Sequence, residues 1–560
     1  MVNAAMTFNM TAFILEVAGL LVVLVALHKP LGLYLARVFE GTSAAGPERL
    51  FYRLSGVDPT VEQTWSVYLR SVLVFSAVSI VTVFGLQRLQ NVLPGSNGLP
   101  GVDPWVAMNT AISFVTNTNW QTYAPETTVG IFVQMCLLAV QNFLSASVGI
   151  VVVVALIRGI ARTRTDRLGN FWVDLARTSF RVLLPLAVIA AFVMVIGGVV
   201  QNFWNTGVSN QATGVSQVIP GGPVASQEAI KELGTNGGGY FNANSAHPFE
   251  NPNVFISLFE VFLLLLIPSA LPYAYGRMVG DQRQGHTVAG VMGVLWLAST
   301  ALMGWSVAAG QGAATAAAGG LGEGFEQRLG PAPSAIFAAS TTLTSTGAVN
   351  VAHDSLPPLA GGTAMVNMML GEVAPGGTGS GLYGMLVLAI ISVFIAGLMV
   401  GRTPEYLGKK IGPREMKLTA MYILVTPILV LALTGITALL PDAVANAPAT
   451  GPHRFSEILY AFTSGANNNG SALGGITTSG PYLSTMLGLA MLLGRFLPIA
   501  LVLALAGSLA QQRRIPASSG TVPTHGPLFG SLLLAVTVIM TALSYFPALA
   551  LGPLAEGLLK

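Results

Sequence analysis

The chain has 560 residues, of which 52% are apolar and only 9% are charged, with a mean hydropathy of +0.67. A soluble domain carries about a quarter charged residues, so composition excludes a soluble globular protein and places the chain in a lipid bilayer. The net charge of +3 is small, and no nucleic-acid signature accompanies it.

Apolar runs long enough to cross about 30 Å of hydrocarbon recur along the whole length. Ten are expected, centred on 11–28, 69–87, 129–157, 179–203, 254–275, 287–309, 381–401, 418–440, 482–508 and 528–551. Residues 1–10 contain no Lys or Arg, so the first run lacks the basic flank of a cleaved signal peptide and is expected to persist as a helix. The single cysteine, Cys136, falls within the third run; it cannot pair internally and reads as a small core hydrophobe. Twenty basic residues lie in alternate connections, among them Lys29, Arg37, Arg158, Arg162, Arg177, Arg277, Arg402, Lys409, Arg414 and Arg513. The opposite connections hold five: Arg88, Lys231, Arg328, Arg454 and Lys560. The positive-inside rule then makes the first set cytoplasmic and leaves both termini outside.

The outside connections are long, poor in charge and rich in Gly, Ser, Thr and Asn. Four of them carry a similar kernel: Thr116-Asn117-Thr118-Asn119, Thr235-Asn236-Gly237-Gly238, Ser345-Thr346-Gly347-Ala348 and Thr463-Ser464-Gly465-Ala466. Their third positions recur at intervals of 119, 110 and 118 residues, a period that implies a repeated supersecondary unit. Each kernel follows an apolar stretch too short to span, at 105–115, 225–233, 333–343 and 455–462. The unit is therefore span, half-helix, extended kernel, span. Spans two to nine supply four units, over 66–168, 169–283, 284–414 and 415–515. Residues 1–65 and 516–560 each add one further span. Irregular backbone survives at membrane depth only where protein buries it or where it lines water, and four kernels around one axis satisfy both conditions. The expected fold is an all-α polytopic membrane protein with ten transmembrane helices and four pseudo-repeated helix–pore-helix–helix units around one pore.

A ring of backbone carbonyls can replace the hydration shell of a monovalent cation. Glycine reaches the dihedrals that aim successive carbonyls inward, and the half-helices present their partially negative ends to the kernels. No carboxylate lies in any kernel, whereas a divalent site recruits several; potassium is the first expectation. Thr118 stands where the other copies have Gly, so that quarter is expected to differ. Gln121, Gly239, Asn350, Asn467, Asn468 and Asn469 lie in or beside the kernels and are expected to buttress the carbonyls.

The kernels TNTNWQ at 116–121, GTNGGGYFNANSAHPFENPN at 234–253, TSTGAVN at 344–350 and TSGANNNGSA at 463–472 resemble those of the potassium-binding A subunit of Kdp-type potassium-transporting P-type ATPases. GGTGSGLYGML at 376–386 and GRTPEYLGKKI at 401–411 extend the resemblance across the chain. It implies a fold of the potassium-transporter superfamily and a subunit of an ATP-driven uptake complex in the bacterial inner membrane. That subunit selects K+, while ATP is hydrolysed on a separate P-type ATPase catalytic subunit, with small accessory membrane subunits completing the complex. The sequence itself contains neither a DKTG phosphorylation motif nor a G-x-x-x-x-G-K-[ST] loop, and no organic cofactor is expected. A self-sufficient potassium or sodium transporter or channel of the same superfamily is the alternative reading.

Further residues carry two readings each. Gly376, Gly377, Gly379 and Gly381 open the seventh span, either as small residues for close helix packing or as a broken helix gating the ion path; the gate is favoured. Arg495 lies inside the ninth span, where an arginine faces a cavity or pairs with a carboxylate. It is read either as restraining the ion or linking to the partner, or as a structural pair, with Glu372 a candidate partner or cation attractor. Arg402 heads the basic loop 402–417, a contact for the ATPase chain or for anionic lipid. The six histidines show no metal-ligand spacing and receive no role.

Overall fold

The structure, a computed structural model, describes residues 6–209, 213–310, 320–399, 401–516 and 521–558. Among the described residues ten helices are long and apolar enough to span: Met10–Glu40, Trp65–Arg88, Val133–Ala161, Phe171–Ile196, Val254–Val279, Gln282–Ala309, Ser380–Met399, Pro413–Ala438, Pro481–Gln511 and Pro527–Leu551. Four half-helices lie between them, at Pro104–Val115, Val224–Leu233, Pro331–Leu343 and Gly451–Asn467. Each sits between two spans, so the expected unit of span, half-helix, kernel, span occurs four times.

Local chemistry sets the helix starts. Proline occupies the first turn of half-helices one, three and four and of the last three spans, where its missing N–H would have no intrahelical partner and its fixed φ suits the helix. Asp103 caps the first half-helix, accepting from the amides of Trp105 and Val106 at 2.9 and 3.3 Å. Asn253 does the same for the fifth span, accepting from Ile256 N at 3.1 Å.

The third span is the most central, with 89% of its apolar window buried against 17% for the first. It packs on the ninth span, and the first packs on the fifth. Residues Ile150 to Leu156 of the third span are enclosed by protein, which lets a continuous apolar run serve as the inner wall rather than the lipid face. Cys136, expected in the core, is instead exposed on the outside of the bundle. It lies in a π-helical turn, Val133–Leu138, whose extra residue per turn rotates its side chain away from the interior.

Strand structure among the described residues is short: a four-residue strand at Leu321–Gly324 and three antiparallel pairings. Gln63–Thr64 pairs with Arg167–Gly169, Thr206–Ser209 with Ser216–Ile219, and Glu405–Tyr406 with Lys409–Lys410. The last belongs to the basic loop after the seventh span, where Arg402 is exposed.

Candidate ion-binding site

All four half-helices end in the same way. Asn117, Thr235, Ser345 and Asn468 adopt left-handed φ angles of 69°, 50°, 58° and 63°. The next amide then donates five residues back: Thr118 N to Ser113 O at 3.0 Å, Asn236 N to Lys231 O at 3.0 Å, Thr346 N to Thr341 O at 3.2 Å and Asn469 N to Ser464 O at 2.9 Å. This is the Schellman closure of a helix C-terminus. It satisfies the last carbonyls of the half-helix and turns the chain sharply, freeing the following peptides to point elsewhere.

They point at one another. A Cβ added to Gly237 would lie 2.7 Å from Thr346 O, 2.9 Å from Thr118 O and 3.0 Å from Asn469 O. The three oxygens come from the other three kernels, at equivalent positions, and converge on the fourth. Gly470 and Gly347 continue the pattern, for a side chain at Gly470 would meet Thr118 O and one at Gly347 would meet Asn469 O. Three of the four turns thus deliver carbonyl oxygens to one narrow place, beside Gly237 of the remaining one.

This geometry corrects two registers expected from sequence. Thr463, Ser464, Gly465 and Ala466 are not an extended kernel: they form the last turn of the fourth half-helix, which runs to Asn467. Gly465 has no positive φ and faces Leu487, Ala490 and Met491 of the ninth span, so it serves helix packing. The fourth kernel is Asn468-Asn469-Gly470, and the left-handed positions recur at intervals of 118, 110 and 123 residues. In the first kernel the residue matching Gly237, Gly347 and Gly470 is Asn119 rather than Thr118; its φ of 57° is one that asparagine tolerates. A sequence signal was present, because Asn469-Gly470 repeats Asn236-Gly237 and Thr346-Gly347.

Side chains clasp neighbouring kernels. Asn117 Nδ2 donates to Thr235 O at 2.8 Å, and Asn236 Nδ2 donates to Asn117 Oδ1 and Asn119 Oδ1, both at 2.8 Å. Asn468 Nδ2 donates to Thr118 Oγ1 at 3.0 Å, and Ser345 Oγ to Asn468 O at 3.1 Å. Thr116 and Thr344 pair with Thr118 and Thr346 through their hydroxyls at 2.9 and 2.8 Å. Gln121 Oε1 accepts from Gly239 N at 3.0 Å, while Gly238 approaches the Phe114 ring and Ala348 is fully buried. Asn467 bonds back to Thr463 O at 2.9 Å, and Asn350 reaches Ser257 Oγ of the fifth span at 3.0 Å. Asn236→Ala removes the donor shared by Asn117 and Asn119; Asn117 Oδ1 keeps Ser145 Oγ, but the buried Asn119 Oδ1 is left unpaired, which costs about 1–3 kcal/mol. The expected result is a lower unfolding temperature together with stronger sodium competition, read by thermal denaturation and by potassium uptake in added sodium.

The glycine stretch before the seventh span is a true interruption. A helix at Pro358–Met369 precedes it and Ser380–Met399 follows. Gly376 and Gly379 adopt φ of 88° and 92°. A Cβ at Gly377 would lie 2.9 Å from that of Ser345, Gly379 abuts the backbone of Gly149, and Gly376 and Gly381 abut each other. Thr378 N donates to Thr235 Oγ1 at 2.9 Å, and Glu372 Oε1 accepts from Asn469 Nδ2 at 2.8 Å. The interruption therefore touches kernels two, three and four at once. Thr378 had no assigned role in sequence, because its partner lies 143 residues away. Glu372, Tyr383, Tyr422, Asn467, Asn468 and Arg495 line a cavity beside it. Arg495 is buried and donates to Ser145 O at 3.2 Å, with no carboxylate within 4 Å among the described residues; Glu372 is its neighbour in the cavity but not its ion-pair partner.

A charge cluster gathers behind the second kernel. Lys231, fully buried in half-helix two, lies 2.6 Å from Glu228, 3.3 Å from Glu250 and 3.5 Å from Glu232, and Glu260 of the fifth span completes a group with Glu228 and Glu232. Lys231 Nζ also donates to Asn244 Oδ1 at 3.0 Å, and Asn244 Nδ2 donates to Gly237 O at 2.8 Å.

Ten spans, four re-entrant half-helices and carbonyls from three quarters of the chain converging on the kernel of the remaining one define a pore-loop membrane protein of the potassium-transporter type. The chain belongs to the family of potassium-transporting ATPase A subunits, which it matches over residues 18–558. It is 60% identical over 554 residues to the potassium-transporting ATPase potassium-binding subunit of Clavibacter michiganensis subsp. michiganensis (strain NCPPB 382), covering 98% of this chain and 99% of that protein. The protein of the same name from Mycobacterium avium (strain 104) is 57% identical over 551 residues, again covering 98% and 99%. Among solved structures, the potassium transporter TrkH from Vibrio parahaemolyticus shares the fold, with a TM-score of 0.53 at 16% identity over 85% of this chain and 97% of that one.

Proposed function

We propose that this chain is the potassium-binding and translocating subunit of an ATP-driven potassium uptake complex. Its four quarters, 66–168, 169–283, 284–414 and 415–515, form one pore. The observation that carries the reading is the approach of Thr118, Thr346 and Asn469 carbonyls to Gly237, a cage of oxygens suited to a dehydrated monovalent cation. Potassium enters from the kernel-bearing face, sheds water among the carbonyls and passes the interruption at 370–379 into the cavity beside Glu372 and Arg495. The chain hydrolyses no ATP: a P-type ATPase subunit does so, with small accessory membrane subunits beside it. The protein spans the bacterial inner membrane with the basic loops in the cytoplasm and both termini outside, which the charge asymmetry supports.

Reconstitution into proteoliposomes tests the reading. Potassium uptake is expected only with ATP and a co-purified ATPase chain. Uptake by the isolated chain along an ion gradient would instead establish the self-sufficient transporter.

A further inference from the structure

The histidines lack metal-ligand spacing along the chain, yet the fold gathers one of them with a carboxylate of its own half-helix and others from two distant segments. His453 and Glu457 lie four residues apart near the start of half-helix four, and so share a face. Asp354 sits on the turn His353–Ser355 that follows the third kernel, and Glu556 on the terminal helix Pro553–Leu558. One ligand atom each from Asp354, His453 and Glu457 falls within 4.8 Å of the others. His453 Nε2 is 3.0 Å from Asp354 Oδ1, and its Nδ1 is 2.8 Å from Glu556 Oε1.

Two features go beyond an ordinary surface ion pair. Glu457 is only 1% exposed, and its Oε2 is buried without a hydrogen-bond partner among the described residues. An unpaired buried carboxylate oxygen is costly unless something positive meets it. Both ring nitrogens of His453 face carboxylates, Nδ1 towards Glu556 and Nε2 towards Asp354, so a metal ion at Nε2 would replace its proton while Glu556 keeps hold of Nδ1, the outer-shell arrangement typical of histidines that ligate metals.

We propose that Asp354, His453 and Glu457 form a site for a divalent transition-metal ion of the zinc class, with Glu556 orienting the histidine. An imidazole with two carboxylates suits zinc, whereas calcium and magnesium take oxygen alone. The side chains of His453 and Asp354 are 27% and 34% exposed, giving the ion a path from solvent on the kernel-bearing face. The site joins the segment after kernel three, half-helix four and the terminal helix. It also reaches the ion-binding axis: His353, beside Asp354, bonds Tyr460 OH at 2.8 Å, Tyr460 bonds Ser471 Oγ at 2.9 Å, and Ser471 Oγ donates to Asn469 Oδ1 at 2.5 Å.

The test uses the intact complex, stripped with chelator and titrated with zinc alone. One zinc per chain is expected, with an absorption-edge spectrum showing a single imidazole among oxygen ligands. His453→Ala and Glu457→Gln should each weaken binding at least ~10-fold, and Glu556→Gln ~10-fold, the usual effect of losing an orienting partner. Each variant's potassium uptake reports that it is folded. Absence of saturable zinc in the wild type, binding unchanged in folded His453→Ala, or a spectrum without imidazole would each overturn the assignment.

Discussion

Gly237→Ala is expected to raise the potassium concentration for half-maximal uptake at least ~100-fold, equivalent to about 2.8 kcal/mol, while leaving the complex assembled. The added methyl would stand 2.7–3.0 Å from the carbonyl oxygens of Thr346, Thr118 and Asn469, where a cation is proposed to sit. Gly237 does not adopt a positive φ, so alanine there brings no left-handed strain, and the backbone responds only to the methyl pressing on the carbonyls. That makes it a cleaner probe than its counterparts: Gly347 and Gly470 hold φ of 79° and 105°, and substitution there would strain the chain as well as obstruct the axis. Gly237→Asp, which brings a carboxylate to the same place, should in addition admit other cations. Potassium-stimulated ATP hydrolysis and uptake by the purified complex measure both effects. Unchanged affinity and selectivity in Gly237→Ala would remove the carbonyl cage from the mechanism.

The large-scale architecture was open to reading because the signals that carry it are local and redundant. A bilayer demands apolar runs of fixed length, and a half-helix is an apolar run cut short before a Gly- and Asn-rich turn. Trp105–Val115 and Pro333–Leu343 each agree to within two residues with the helices they predict. The fourth kernel failed for a local reason. Thr463-Ser464-Gly465-Ala466 mimics the composition of a kernel, but nothing in it stops a helix whose small residues pack tightly on the ninth span. The stop comes at Asn468, where the left-handed turn falls. What could not be read were contacts across sequence. Thr378 meets Thr235 143 residues away, Asn468 meets Thr118 350 residues away, and Lys231 meets carboxylates from a loop and from another span. Composition announces that such polar residues need partners; only the fold says which.

Lys231→Met should strongly destabilise the protein. Four fully buried carboxylates, Glu228, Glu232, Glu250 and Glu260, surround this one ammonium group. Removing it leaves buried carboxyl groups that must either repel one another as charges or take up protons, a loss of about 3–5 kcal/mol. The damage should not stay in the scaffold. Lys231 O closes the turn of kernel two by accepting from Asn236 N, and Lys231 Nζ holds Asn244, whose amide anchors Gly237 O. Asn244 Oδ1 also accepts from Val349 N at 3.3 Å, tying kernel three to the same post. The expected outcome is a sharply reduced yield of assembled complex and a lower unfolding temperature. Any protein that survives should discriminate poorly between potassium and sodium. Adding Glu228→Gln removes one of the repelling charges and should recover part of the stability, whereas neutralising Glu62, an exposed carboxylate paired with Arg162 on the basic face, should recover none. If Lys231→Met unfolds at the wild-type temperature, the cluster contributes nothing to holding kernel two. If Glu228→Gln fails to restore stability while Lys231→Met lowers it, the loss arises from packing rather than from uncompensated charge.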